Sequence, residues 1–336
     1  MNESKKSKCL GFLIFQGFPM ACLTSAIEPL RAANEIIGAR HFSWVVISED
    51  RDRVTSSAEV VFDPTQSLGG AAGLDYLFFL SSPAGQFRNP RKAQAEVRWL
   101  ARQGVQVGGF SGGIFPLARS GLLDDHRCSV HWYYEAAFKA EFPEIEAREA
   151  VITVDRGRVT AAGAAAVFDL MLKLIEDDLG SEVMTEVACW FQHSVVRGPD
   201  VTQLLPGYRA DRTQDALPAT VARAIRLFSG NIEEPLTIAD AARRLGLSSR
   251  QLDRAFRQAT GHGPLRYYRK LRMKKARQLV QFSHSSLTEI ALAVGYASSA
   301  PMSRHYREEF GLNPQADRAA RNSFRPKDGP AVAVPI

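Results

Sequence analysis

Cysteine is scarce in this chain. Four occur among 336 residues, Cys9, Cys22, Cys128 and Cys189, and no two form a Cys-x-x-Cys pair. That spacing excludes a disulfide framework and a thiolate zinc site, and it fits a reducing, cytoplasmic compartment. No metal and no cofactor is expected. Long apolar runs are missing too. After Lys5, Lys6 and Lys8 no charge occurs until Glu28, which imitates a secretion signal, but Gln16, Gly17 and Pro19 interrupt the run. It falls short of the ~20 apolar residues of a membrane helix, so no membrane partner is expected. Acidic residues are short in one region only. Net charge is +6 overall, yet residues 216–325 hold 19 Lys/Arg against 8 Asp/Glu, leaving the remainder net acidic. A basic block joined to an acidic one predicts a nucleic-acid partner for one part alone.

The first ~195 residues alternate short apolar runs with helical patterns. Residues 9–15, 42–48, 76–81 and 105–110 read as strands, with a loop over 16–21 and helices over 23–37, 91–103, 167–179 and 182–193. Asp155-Arg156-Gly157 reads as a hairpin turn between residues 151–154 and 158–160. Strands alternating with helices predict a parallel, helix-covered α/β sheet. Residues 196–218 read as a linker, since 197–218 carries three prolines and two glycines without a period. Beyond Thr220 the pattern is helix and turn, and residues 323–336 form a loose Pro-rich tail.

The C-terminal part contains a repeat. Ser248, Arg254, Gly261 and Pro264 recur as Ser298, Arg304, Gly311 and Pro314, each 50 positions later. In each copy a short helix (238–245; 288–294) ends at a glycine, Gly246 or Gly295. A serine then stands where an N-cap belongs, Ser248 or Ser298, and a second helix follows (249–260; 300–310). This is helix-turn-helix spacing, with the second helix placed for a major groove. In the first copy Leu252, Ala255, Phe256 and Ala259 pack inward, leaving Ser249, Arg250, Asp253, Arg254 and Arg257 for DNA. In the second copy the exposed set is Ala300, Ser303, Arg304 and Arg307, poorer in donors. Between the copies, residues 265–280 form one basic helix that would space the two reading helices ~10.5 bp apart on double-stranded DNA.

Residues 219–322 resemble the paired helix-turn-helix domain of AraC-type transcription regulators. The resemblance is carried by residues such as Ala242, Gly246, Leu252, Phe256, Tyr267, Arg272, Ile290, Gly295, Arg304, Pro314 and Arg318. Met302 stands where an aromatic is usual, and Asp317 where a tyrosine is usual.

Gly109-Phe110-Ser111-Gly112-Gly113 spells Gly-x-Ser-x-Gly, the nucleophile elbow of serine hydrolases. A hydrolase needs an acid and then a histidine later in the chain; Asp155 or Asp169 with His193 are the candidates. Residues 8–195 instead resemble the PfpI-like, class I glutamine amidotransferase-like domain of GlxA-type AraC regulators, a flavodoxin-like α/β fold. The matching stretches include 12–15, 26–34, 108–123, His131-Trp132 and 162–172. The resemblance implies an elbow residue at Ser111, a helix-borne acid at Glu28 and a partner histidine at His131. Enzymes of that superfamily use cysteine here, and serine does not ionise usefully, so Ser111 argues against thiol chemistry. The expectation is a non-enzymatic pocket of Glu28, Ser111, Gly112, His131 and Trp132 for a small amino-acid-like or quaternary-amine effector. A transcription activator that contacts RNA polymerase and pairs into a homodimer through its first domain is the reading that follows. The competing one is an amidase-like or serine-hydrolase enzyme fused to a DNA-binding module.

Overall fold

The computed structural model describes residues 7–194, 196–199, 201–203 and 217–323. The chain divides into two compact units, with the division between Gln203 and Leu204. Most of the expected linker (204–216) and the tail from 324 onward lie outside the described residues.

The first unit is built on β1 (Lys8–Ile14), α1 (Met20–Ile37), β2 (Phe42–Ser48), and three two-residue strands, β3 (Val54–Thr55), β4 (Val61–Phe62) and β5 (Gln66–Ser67). Then come β6 (Tyr76–Ser81), α2 (Pro90–Arg102), β7 (Gln106–Ser111), α3 (Ile114–Arg119), β8 (Arg127–Ser129), α4 (Glu135–Glu141) and β9 (Glu146–Arg148). β10 (Ile152–Asp155), β11 (Arg158–Ala161), α5 (Ala164–Leu179) and α6 (Ser181–Trp190) complete it. The main sheet has seven strands in the order β10-β11-β7-β6-β1-β2-β5. All pairs in it are parallel except the β10–β11 hairpin. This is the flavodoxin-like sheet, whose order reverses between β1 and β6; ligands bind outside the carboxyl ends of strands near such a point. The strands are apolar because both faces are covered. Leu10, Phe12, Ile14, Phe78, Leu80 and Phe110 join the core under α1, α5 and α6. The alternate residues Leu13, Leu77, Phe79 and Val107 are equally buried and point to the other face.

The expected elements are found, with shifted ends. α1 begins at Met20, so the loop after β1 is shorter than its prolines and glycines imply. α5 begins at Ala164, three residues before the expected start, immediately after Gly163. The short strands β3, β4, β5, β8 and β9 carry too few residues to show a period. Two residues of the expected linker are hydrogen-bonded within the first unit: Arg197 Nε donates to Asp169 (2.7 Å), and Val151 N–H donates to the Val201 carbonyl (2.7 Å).

The second unit is all helical: α7 (Ala219–Ser229), α8 (Ile238–Arg244), α9 (Ser249–Thr260), α10 (Pro264–Phe282), α11 (Leu287–Ala293), α12 (Ser299–Phe310) and α13 (Pro314–Ser323). The first copy packs Leu252, Phe256 and Ala259 of α9 against α7, α8 and Tyr267 and Tyr268 of α10. Ser248 closes a full capping box with Gln251. In the second copy the capping differs from expectation: the box is Ser286 with Glu289 at the head of α11, while Ser298 makes no side-chain cap to α12.

Two substitutions in the family pattern acquire a physical account. Met302 is fully buried and fills the position of the usual aromatic. Asp317, on α13, accepts hydrogen bonds from Arg277 Nε (2.8 Å), Gln281 Nε2 (3.0 Å) and Tyr306 Oη (2.7 Å). One buried carboxylate thus ties together α10, α12 and α13. Burial alone would raise its pKa, but the three donors outweigh that and hold it below the ordinary aspartate value.

Candidate functional site

β7 ends in the elbow. Ser111 has φ +52°, a left-handed backbone that a serine adopts only under local constraint. The glycines after it are required by crowding. A Cβ on Gly113 would stand 1.9 Å from the Phe79 carbonyl oxygen, and one on Gly112 would stand 2.5 Å from that of Ser81. Both clashes are with backbone, so no side-chain movement relieves them. Ser111 pairs in register with Ser81 of β6, and on its other side Phe110 pairs with Ala161 of β11. Phe110 itself is core, stacked on Phe78 at 4.5 Å between centroids. Ser111 is 7% exposed.

His131 reaches the same edge of the sheet from the loop after β8. A Cβ on Gly163, which follows β11, would lie 3.4 Å from His131 Cδ2 and 3.8 Å from Nε2. Burial holds the imidazole pKa below its ordinary value, so the ring is neutral near pH 7. Its Nδ1 accepts the Tyr133 N–H at 3.1 Å. A neutral imidazole has one lone pair, and here the backbone takes it, leaving Nε2 as a proton donor. In this state His131 can donate to a ligand oxygen but cannot take the proton of Ser111. Trp132 and Tyr134 flank the ring at 5.6 and 5.3 Å.

Glu28 is engaged with a neighbour on its own helix. It stands eight residues into α1, ~12 Å of helix rise from Met20. Its half-exposed carboxylate accepts Arg31 Nε at 3.0 Å, and Arg31 in turn lies 5.9 Å from the Trp190 ring centroid. The hydrolase candidates divide: Asp155 lies away from Ser111, while Asp169 and His193 meet each other. Asp155 pairs with Arg158 beside Val107, at the opposite end of β7 from Ser111. Backbone and side-chain donors from Arg127 and Arg156 hold its pKa at about 2. Asp169, fully buried in α5, is bonded to His193 Nε2 and Arg197 Nε, both at 2.7 Å. Burial pushes the Cys22 and Cys128 thiols up to about 12, far from a reactive thiolate. Ser81, Ser82 and Gly163 complete the edge around Ser111 and escaped the sequence reading. The signal was present for the serines: an apolar strand ending in two small polar residues.

The second unit offers two reading helices. On α9, Ser249, Arg250, Arg254 and Arg257 are exposed and Asp253 is half-buried. Arg257 Nε is held by Asp253 at 2.7 Å across one helical turn. On α12, Ala300, Ser303, Arg304 and Arg307 line one open depression of about 420 Å³ together with Glu308, an acid absent from the expected set. The turn before α12 is fixed from α10: Arg272 donates to the carbonyls of Val294 (2.7 Å) and Gly295 (2.6 Å) and lies over Tyr296.

A parallel-sheet unit joined to a paired helix-turn-helix unit defines a class, the DNA-binding transcription regulators. A profile described as a helix-turn-helix domain matches residues 241–320. The chain is 32% identical over 335 residues to the HTH-type transcriptional regulator GbdR of Pseudomonas aeruginosa, covering 99% of this chain and 89% of that one. It is 33% identical over 324 residues to the HTH-type transcriptional regulator GlxA of Rhizobium meliloti, covering 96% and 99%. A THiJ/PfpI family protein from Pseudomonas syringae shares the fold, with TM-score 0.50, 19% identity and 69% and 90% of the two chains covered. The chain belongs to the GlxA-type AraC family of transcription regulators. Among the described residues no helix is long and apolar enough to cross a membrane.

Proposed function

We propose that the chain is a transcription activator switched by a small amino-acid-like or quaternary-amine metabolite, held at the carboxyl edge of the first unit by Ser111, Gly112, His131 and Trp132. The observation that carries this reading is the state of His131. With its lone pair taken by Tyr133, it is equipped to donate to a ligand carboxylate and not to activate Ser111. Trp132 supplies an aromatic face for a cationic head. Glu28, paired with Arg31 on α1, is left out of this reading. Double-stranded DNA is read by α9 and α12, and activation implies contact with RNA polymerase by chains paired through their first units.

The alternative, an amidase-like or hydrolytic enzyme, draws on two observations, the strained backbone kept at Ser111 and the Asp169–His193 pair. A thermal-shift screen of amino acids and methylated amines identifies the ligand. Incubating it with stoichiometric protein then separates the two readings. Quantitative recovery of unaltered ligand supports the sensor; conversion that disappears in Ser111→Ala overturns it.

A further inference from the structure

The last described residues before the unit boundary fold back onto the loop that carries His131. Ala150 and Thr202 form an antiparallel bridge, and Gln203 N–H donates to the Glu149 carbonyl at 2.8 Å. The Gln203 side chain, buried in this contact, goes further. Its Oε1 accepts the Trp132 N–H at 2.9 Å, and its Nε2 donates to the carbonyls of Val130 (2.7 Å) and Ala150 (3.2 Å). One amide therefore grips the backbone on both sides of His131. Only a primary amide serves: it offers an acceptor together with two donor hydrogens, whereas a carboxylate would set an oxygen against two carbonyls.

We propose that Gln203 is the positioning residue for His131, and that it ties the state of the elbow site to the chain segment entering the DNA-binding unit. This rests on the effector reading for its regulatory meaning; the mechanical link itself does not. Coupling between the two ends is reciprocal by thermodynamic necessity. Whatever orders the His131 loop orders 201–203, and the converse.

Hydrogen exchange followed by mass spectrometry on the full chain tests it. In Gln203→Ala and Gln203→Glu, peptides covering 130–134 should exchange about tenfold faster, the loss of one to two net hydrogen bonds. Peptides over β1, β6 and β7 should not change. Acceleration throughout the first unit, which a merely structural role would produce, overturns the proposal, as does unchanged exchange at 130–134. If both Gln203 variants fail to fold, His131→Ala carries the test in reverse: exchange at 201–203 should rise, and an unchanged rate overturns the link. Glycine betaine is then added to the wild-type chain as a probe. Protection at 130–134 accompanied by protection at 201–203 supports the coupling, and protection at 130–134 alone overturns it. A probe that does not bind counts against the effector reading, while the ligand-free comparison of variants still decides the role of Gln203.

Discussion

Ser111 is a side chain whose backbone is more constrained than its chemistry. The turn demands φ +52°, and the neighbouring positions admit no Cβ, yet the hydroxyl can be removed without touching that geometry. Ser111→Ala should therefore leave the melting temperature and DNA affinity unchanged and weaken the ligand response by ~0.5–1.5 kcal/mol, one net hydrogen bond. Ser111→Leu should abolish the response by placing a bulky side chain where the ligand is proposed to bind. Ligand titration by calorimetry checks both; an equal effect of the two substitutions would contradict the pocket. Arg254 belongs to the same scale. It is exposed on α9, and its neighbour Arg257 is anchored by Asp253. Arg254→Ala should relax base preference in one half-site by ~1–3 kcal/mol, and Ser303→Ala should do less in the other. Competition binding against operators mutated one position at a time reads the difference, and equal losses would refute it.

At the scale of elements, the second helix-turn-helix is held by groups that lie far apart in the chain. Asp317 collects Arg277, Gln281 and Tyr306, so Asp317→Ala should cost about 2–4 kcal/mol by leaving buried donors unpaired. The sign of its pH dependence follows from the lowered pKa. A carboxylate whose folded pKa lies below its unfolded value stabilises above the unfolded pKa, and that stabilisation is lost as pH falls through the folded one. The urea midpoint of Asp317→Asn should thus lie well below wild type at pH 7, with the gap shrinking below the ordinary carboxylate range. A gap independent of pH would refute it. What the sequence made legible divides along this line. Helices, parallel strands, the β10–β11 turn and the inward face of α9 follow from local period and turn chemistry, and Ser111 from a five-residue spelling. Glu28 came from the family resemblance alone; no local pattern in α1 ties it to the elbow, and its partner in the structure is Arg31. Gln203 was invisible because its partners at 130, 132 and 150 are remote, and its surroundings have the composition of a linker.

For the whole molecule, charge segregation predicts that DNA binding is separable from the proposed sensing. A fragment starting near Asp215 should bind duplex DNA by itself, with log K falling ~0.9 per neutralised phosphate as log salt rises. Filter binding at several salt concentrations checks this, and a flat profile would refute it. The capping difference between the two copies has its own consequence. α9 starts from a closed capping box, while α12 starts without a side-chain cap and carries Glu308 among its exposed residues. If both helices read DNA as proposed, α9 is the firmer reader and α12 the softer one. Each chain should then lay a footprint with a head and a tail, and its binding site should have a direction. Sites recovered by selection from random duplexes and aligned with one another should be sharp over one major-groove segment and blurred over the next. On the proposed activator reading, inverting a site in place should preserve occupancy while turning away the side of the chain that would face the polymerase, so a reporter falls silent although the footprint remains.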